Sequence, residues 1–226
     1  MVSKRGAGHI EMILSFVMFT FFVVFLFIYI KPVSNNSIGD SVLIGLGDSF
    51  HEKNGVDYGK IFLRVSDFSG SCFSIGLSGH SGNSIVQMVG GSVVGSSYSG
   101  SNLVVSSGIG SYYVLISPDF ASGSGCSGPS LLSSQNYSIG SIETQKLISN
   151  KSLYLLKQSY LDNYAQLKTN YGVPKIIDFT IKSSDGSFDL GGTIPQKVQV
   201  FSKEYSENVL YENGSIQNKE FLIQVW

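Results

Sequence analysis

The feature that most constrains this chain is an uncharged apolar run of nineteen residues, Met12 to Ile30, with the sequence MILSFVMFTFFVVFLFIYI. As an α-helix this run would be ~28 Å long, close to the hydrocarbon thickness of a bilayer. A cleaved secretory signal peptide has a shorter apolar run that is followed by small residues at its cut site, whereas this run ends at Lys31-Pro32. The run therefore predicts an uncleaved transmembrane helix over residues 7–31.

The basic residues Lys4 and Arg5 precede this run. Positive charge next to an apolar span is retained in the cytoplasm. The sequence thus predicts a single-pass protein of the cell membrane. Its N-terminus would be cytoplasmic before processing, and its C-terminal domain would be extracellular.

Glu11 lies at the start of the apolar run, where a carboxylate is costly unless it has a partner. Lys4-Arg5-Gly6 followed by Glu11 resembles the leader of type IV prepilins, in the looser archaeal form known as a class III signal peptide. The resemblance implies that a prepilin peptidase cuts between Gly6 and Ala7. Glu11 would then be the fifth residue of the mature chain and would pair with the N-terminal amine of a neighbouring subunit.

The resemblance also implies a function and a set of partners. The chain would be a pilin-like surface subunit that assembles through residues 7–30 into a cell-surface filament or a pseudopilus-like complex for adhesion or surface structure. Its partners would be the membrane, the prepilin peptidase, like subunits, a pilus assembly ATPase and a platform protein. The alternative is a signal-anchored monomeric binding module at the cell surface that forms no filament.

The rest of the chain predicts a β-rich domain. We expect a leader over residues 1–6, the helix over 7–31, a linker over 32–40 and the domain over 41–226. Short strand-like runs such as Val42–Leu46, Lys60–Val65 and Cys72–Leu77 alternate with Gly/Ser/Asn turns, which is typical of an antiparallel sandwich.

One amphipathic helix interrupts these strands, from about residue 150 to residue 171. Its apolar and aromatic residues recur every three or four positions, and Gly172 follows as a stop signal. The predicted fold class is therefore α+β: an N-terminal transmembrane helix followed by a β-rich, antiparallel sandwich-like extracellular domain with one packed amphipathic helix.

Cysteine and asparagine positions suggest covalent modifications. Cys72 and Cys126 could form a disulfide outside the cell, or could be two unrelated buried thiols. Glycosylation sequons begin at four asparagines, whereas two or three would be expected by chance in a chain so rich in serine: Asn35, Asn136, Asn150 and Asn213.

No catalytic or metal-binding constellation emerges. Gly47-Asp48-Ser49-Phe50 resembles the nucleophile block of GDSL-type esterases. Those enzymes also need a catalytic histidine, usually near the C-terminus with an aspartate three residues before it, but the last histidine of this chain is His80 and no aspartate has that spacing before it. His9, His51 and His80 are scattered without ligand spacing. With 14% charged residues and no basic cluster, a nucleic-acid partner is excluded. We therefore predict that the chain is not an enzyme and needs neither a metal nor a cofactor.

Overall fold

The computed structural model describes residues 7–29, 36–77 and 82–226. The chain is divided into two compact units, Met1–Ser41 and Val42–Trp226. The first unit holds helix α1 (Ala7–Tyr29), and helix α2 (Asn36–Asn54) begins in it and continues into the second. Because α2 begins at Asn36, it takes up part of the stretch predicted as a linker.

Helix α2 replaces a predicted strand. The short apolar run Val42–Leu46 was expected to be extended and the residues after it to form a turn, but all of them are helical. Leu43, Leu46 and Phe50 recur at spacings of three and four, and all three side chains are buried. A short apolar run has no clear period of its own, so burial of one helical face decides its structure.

Strands are the main regular structure of the second unit. They are β1 (Gly55–Val65), β2 (Phe73–Gly76), β3 (Asn83–Met88), β4 (Val93–Val94), β5 (Ser96–Ser99), β6 (Asn102–Val105), β7 (Gly110–Ser117), β8 (Ser130–Leu131), β9 (Tyr137–Ser149), β10 (Phe179–Ser183), β11 (Phe201–Leu210) and β12 (Ile216–Val225). They form an eight-stranded sheet in the order β10-β12-β11-β9-β1-β7-β3-β4 and a four-stranded sheet in the order β5-β6-β2-β8. The pairs β9–β11 and β2–β8 are parallel, and the other described pairs are antiparallel.

Two main cores support these sheets. The first, which we call the sandwich half, lies between the four-stranded sheet and strands β1, β3 and β7, and includes Ile61, Leu63, Phe73 and Val114. The second, the helix-covered half, lies between strands β10 to β12 and the buried faces of α2 and of the two helices over residues 150–170. Strand β9 contributes Ile148 to the second core and pairs with β1 along most of its length.

The predicted helix over residues 150–171 is divided in two: α3 (Asn150–Asp162) and α4 (Tyr164–Asn170). Asn163 has the non-helical angles φ −153° and ψ 76°, and its Oδ1 accepts a hydrogen bond from the Gln166 backbone N–H at 3.0 Å. The asparagine therefore caps α4 as it ends α3. The predicted stop is confirmed, because Gly172 follows with φ +69°.

The Asn213-Gly214 pair between two strand-like runs predicts a hairpin near the C-terminus, and the structure confirms it. Strands β11 and β12 pair in register from Phe201↔Val225 to Leu210↔Ile216, and the turn between them contains Asn213-Gly214 with Gly214 at φ +81°.

No helix among the described residues is both long enough and apolar enough to cross a membrane. Helices α3 and α4 have 13 and 7 residues, and α2 carries charged residues such as Asp48 and Lys53.

Two predictions are therefore wrong: the transmembrane helix over residues 7–31, and the single-pass membrane localisation that depends on it. The fold class is corrected to a β-rich chain with a curled eight-stranded sheet and, within the described residues, no membrane-spanning helix.

Candidate functional site

The predicted processing site lies at the edge of the described residues. Lys4, Arg5 and Gly6 fall outside them, and Ala7 is the first residue of α1. The sequon at Asn35 and the histidine at position 80 also fall outside them.

Helix α1 carries large apolar side chains that are exposed. Met12, Phe16 and Phe21 are 74%, 70% and 71% exposed. The consecutive residues 16–19, which are Phe, Val, Met and Phe, are all exposed as well. Successive helical residues are rotated by ~100°, so these four point in different directions around the axis. We call the side chains of residues 12–25 the α1 surface, and it is apolar on every side.

Polar groups on α1 are few. Thr20 donates its hydroxyl proton to the Phe16 carbonyl oxygen at 2.8 Å, so it is satisfied within the helix. Glu11 is exposed, and none of the ion pairs formed by the described residues includes it. The α1 surface therefore has one charged side chain beside it, at its N-terminal end.

Cys72 and Cys126 form a disulfide with a Cα–Cα distance of 6.0 Å. Cys72 immediately precedes β2, and Cys126 lies in the irregular segment between β7 and β8. The Ser130 backbone N–H also donates to the Cys72 carbonyl oxygen, at 3.2 Å. The bond thus tethers this irregular segment to the four-stranded sheet.

The described sequons differ in the access they give to the asparagine amide nitrogen. Asn136 is half-buried, and its Nδ2 donates to the Asp67 carbonyl oxygen at 2.6 Å. Asn150 is exposed as the first residue of α3. Asn213 is exposed in the β11–β12 turn, where its Oδ1 accepts a hydrogen bond from the Ser215 backbone N–H at 3.0 Å. Asn150 and Asn213 therefore present free amide nitrogens, and Asn136 does not.

Ser49 lies within helix α2 and is half-buried. An esterase-type nucleophile would follow a strand in a sharp turn, and the structure has no such turn at this position. The nearby His51 has its Nδ1 3.2 Å from the Glu207 carboxylate and lies two residues along the helix from Ser49. Residues two apart on a helix do not face each other, so the structure does not bring the serine and this histidine together.

Metal-ligating side chains do not cluster in the described ranges. No group of three or more histidine, cysteine, aspartate or glutamate side chains there is placed to hold an ion.

A polar and aromatic cavity of about 360 Å³, not predicted from the sequence, lies on the face of β1, β3 and β7 that points away from the sandwich core. Its lining includes Tyr58 and Lys60 of β1, Gln87 of β3 and Tyr113 of β7, and Gly214 of the hairpin turn forms another part. We call this cavity the sheet groove. The Lys60 ammonium lies 4.5 Å from the centroid of the Tyr113 ring.

Tyr58 is the most enclosed polar side chain of the sheet groove, at 5% exposure. Burial, and secondarily the Glu143 carboxylate, raise the pKa of its hydroxyl, so Tyr58 stays protonated at neutral pH. Its hydroxyl makes no hydrogen bond to any described residue, although the side chain is almost fully covered. An unpaired hydroxyl in such a place is available to a ligand.

Sequence reasoning missed the sheet groove because its residues come from four strands and two turns. The usable signal was the alternation in β1, where Ile61 and Leu63 enter the core and Tyr58, Lys60 and Phe62 take the opposite face. That pattern identifies a solvent-facing aromatic and cationic row, but not the strands that lie beside it.

No protein-family model, curated protein or solved structure matches this chain.

Proposed function

We propose that this protein is a pilin-like structural subunit that is cut after Gly6 and assembles with copies of itself through helix α1 into a filament or pseudopilus-like complex. The observation that supports the proposal is the α1 surface, which is apolar on every side and exposed. A helix that is apolar all round is stable when it is covered. Burying each large apolar side chain contributes about 1.5–3 kcal/mol, so packing among like helices would be strongly favourable.

In this proposal Glu11 determines how adjacent subunits are aligned along the filament axis. Cleavage after Gly6 creates an amine on Ala7, four residues before Glu11. Four helical residues rise ~6 Å, so a neighbouring helix displaced by about one turn would bring its amine level with Glu11. The pair would fix the axial displacement of adjacent subunits, and an unpaired carboxylate within the bundle would be costly.

The partners in this proposal follow from the resemblance of the leader to prepilins. A prepilin peptidase would remove residues 1–6, and an assembly ATPase with a platform protein would drive the addition of subunits.

A second candidate function is a monomeric binding module that forms no filament. The sheet groove favours it, because the cavity belongs to the Val42–Trp226 unit and needs no second copy of the chain.

The first test is the N-terminus of the protein recovered from its native cells. Intact-mass and N-terminal peptide analysis should find chains that begin at Ala7. Chains that keep residues 1–6 would contradict processing and the assembly that depends on the new amine.

The second test is the substitution Glu11→Ala, with Glu52→Ala as the matched control. Glu52 is an exposed acid of helix α2 that forms no ion pair with another described residue. We expect Glu11→Ala to lower the fraction of protein in rapidly sedimenting material by about tenfold or more, since breaking a buried ion pair costs about 3–5 kcal/mol. Glu52→Ala should leave that fraction unchanged. Wild-type protein that sediments as a monomer and is insensitive to Glu11→Ala would favour the binding module.

A further inference from the structure

Four polar side chains without described partners converge on the sheet groove: Tyr58, Lys60, Gln87 and Tyr113. None of them makes a side-chain hydrogen bond or ion pair with another described residue. The Tyr58 side chain is more than nine-tenths buried, whereas Lys60, Gln87 and Tyr113 are half-buried. A cavity on which several polar groups converge is the usual form of a site for a polar ligand.

The Lys60 ammonium is held within the groove by the Tyr113 ring, 4.5 Å from its centroid. In the strand register Lys60 lies opposite Glu143 of β9, but the two form no ion pair. The ammonium is therefore placed over an aromatic ring while its charge lacks a carboxylate partner. This arrangement suits one anionic group on a ligand.

The walls of the groove leave room for a ring-shaped ligand. Gly90 and Gly91 have φ of +127° and +99°, and a Cβ added at either would meet nothing within 4 Å. On another side the hairpin turn approaches the sheet closely, since a Cβ at Gly214 would lie 3.1 Å from the Ile85 Cδ1 atom. The groove is thus open at the Gly90-Gly91 turn and bounded on another side by the hairpin. Its volume is near the lower end of the ~300–1,000 Å³ typical of ligand sites.

We propose that the sheet groove binds a sugar unit that carries a carboxylate, such as a terminal uronic or sialic acid residue of a glycan. Lys60 would pair with the carboxylate, while the Tyr58 hydroxyl and the Gln87 amide would exchange hydrogen bonds with ring hydroxyls. Met88 and Leu115, which also line the groove, would contact the C–H face of the ring. A purely apolar ligand would leave the four polar groups unpaired, and a multiply charged phosphate ester would exceed the one cation that lines the cavity among the described residues.

This inference does not depend on assembly through α1, because every lining residue lies in the Val42–Trp226 unit. Loss of filaments with retained sugar binding would count against the proposed function alone. Loss of sugar binding with retained filaments would count against this inference alone.

The test is calorimetric titration of the full chain with glucuronate, galacturonate and N-acetylneuraminate. Glucose serves as a neutral sugar, and acetate as a carboxylate without a ring. We expect saturable binding of at least one acidic sugar, with affinity at least about tenfold higher than for glucose or acetate, since a hydrogen bond to a charged group contributes about that factor or more. No binding of any acidic sugar at millimolar concentration, or equal binding of acetate, would overturn the proposal.

Two variants locate the site. Lys60→Gln should weaken acidic-sugar binding about tenfold or more, and Tyr58→Phe should weaken it about three- to tenfold. The matched control is Arg64→Gln, which removes an exposed cation from the same face of β1 and is not part of the groove lining. An equal loss in Arg64→Gln would show general charge attraction and would overturn the assignment, provided that thermal unfolding shows all three variants folded.

Discussion

The two halves of the Val42–Trp226 unit are stabilised by different interactions. The sandwich half is filled mainly by aliphatic residues at alternate strand positions of two facing sheets, such as Ile61, Leu63 and Val114. The helix-covered half is also mainly aliphatic, but aromatic rings lie in contact with one another at its centre. In its centre the Phe221 ring lies 5.2 Å from the Phe50 ring and 6.2 Å from the Phe188 ring, measured between centroids.

The difference follows from what each half must hold in place. Helices α2 and α3 are continuous elements that each bring several apolar side chains to the core at once, so packing alone suffices to fix them. The sandwich half must also hold the irregular segment between β7 and β8, which has few apolar anchors, and there the Cys72–Cys126 disulfide supplies the constraint. We therefore expect the helix-covered half to be most sensitive to loss of packing and the sandwich half to loss of a cross-link.

The largest effect is expected for Phe221→Ala. Phe221 is fully buried between α2 and the segment after β10, so its removal leaves a cavity that continuous helices cannot easily fill. The free energy of unfolding should fall by about 3–5 kcal/mol, as measured by urea denaturation. The control is Ile176→Ala, whose side chain is 91% exposed and whose loss should change stability by less than about 0.5 kcal/mol. Equal effects of the two substitutions would contradict this assignment of the core.

The next effect is expected for removal of the disulfide by the paired substitution Cys72→Ser and Cys126→Ser. The bond spans 54 residues of sequence, and a cross-link of this kind typically contributes about 2–4 kcal/mol. The loss should be local at first: hydrogen exchange should rise in the segment between β7 and β8 before it rises in β12. Uniform exchange across both halves would show that the bond stabilises the unit as a whole and would contradict the contrast between the halves.

Local patterns predicted those parts of the fold that local residues determine. Turn chemistry predicts the Asn213-Gly214 turn and the stop at Gly172, and the structure confirms both. Phe221, Ile223 and Val225 alternate and predict a strand at the end of the chain, which the structure confirms as β12. Strand β9 was not predicted, because most of its residues are exposed on both faces and show no alternation. The alternating run from Lys197 to Phe201 predicts a strand there, but β11 begins only at Phe201, since Lys197 has φ +67°.

Tertiary contacts decided the rest. Helix α2 was predicted as a strand because Val42–Leu46 is short and apolar, and its helical form depends on the core that Leu46 and Phe50 enter. The break at Asn163 was hidden because Tyr160 and Tyr164 keep the spacing of one helix across it. The sheet groove depends on strand order, which no sequence pattern fixed, and the membrane-spanning assignment of residues 7–31 was wrong.

A smaller effect is expected at the junction of the two halves, where Ser149 ends β9 and caps α3. Its Oγ accepts a hydrogen bond from the Ser152 backbone N–H at 3.0 Å and donates to the Asp119 carboxylate, which follows β7. Ser149→Ala should lower stability by about 1 kcal/mol, or ~2–4 °C in Tm. Ser159→Ala, an exposed position near the end of the same helix, should be neutral or slightly stabilising because alanine favours helix. If Ser159→Ala were the more damaging change, the cap would not stabilise the junction.

The smallest effects at neutral pH are expected for Tyr→Phe substitutions, one in each half, and the change in stability should have opposite signs in the two halves. In the sandwich half the Tyr98 hydroxyl is buried without a described partner, and burial raises its pKa to about 12. In the helix-covered half the Tyr164 hydroxyl accepts the Phe179 backbone N–H at 3.0 Å, and burial likewise raises its pKa. Tyr98→Phe should therefore be neutral or stabilising by up to about 1 kcal/mol, whereas Tyr164→Phe leaves a buried N–H unpaired and should be destabilising.

At high pH the same two substitutions should change the pH dependence of stability in the same direction. Folding raises the pKa of Tyr98 above its value in the unfolded chain, near 10. Below pH 10 the hydroxyl is protonated in both states, so the raised pKa does not change the free energy of unfolding. Between pH 10 and the folded pKa the unfolded chain loses the proton more readily, so stability falls as pH rises. The wild-type Tm should therefore fall from about pH 10 to pH 12, and Tyr98→Phe should reduce that fall, so its advantage over wild type grows with pH. Tyr164→Phe should also reduce the fall, but from a lower Tm at neutral pH. A Tyr98→Phe protein that is less stable than wild type at pH 7 would show that the hydroxyl has a partner and that the two halves treat their buried tyrosines alike.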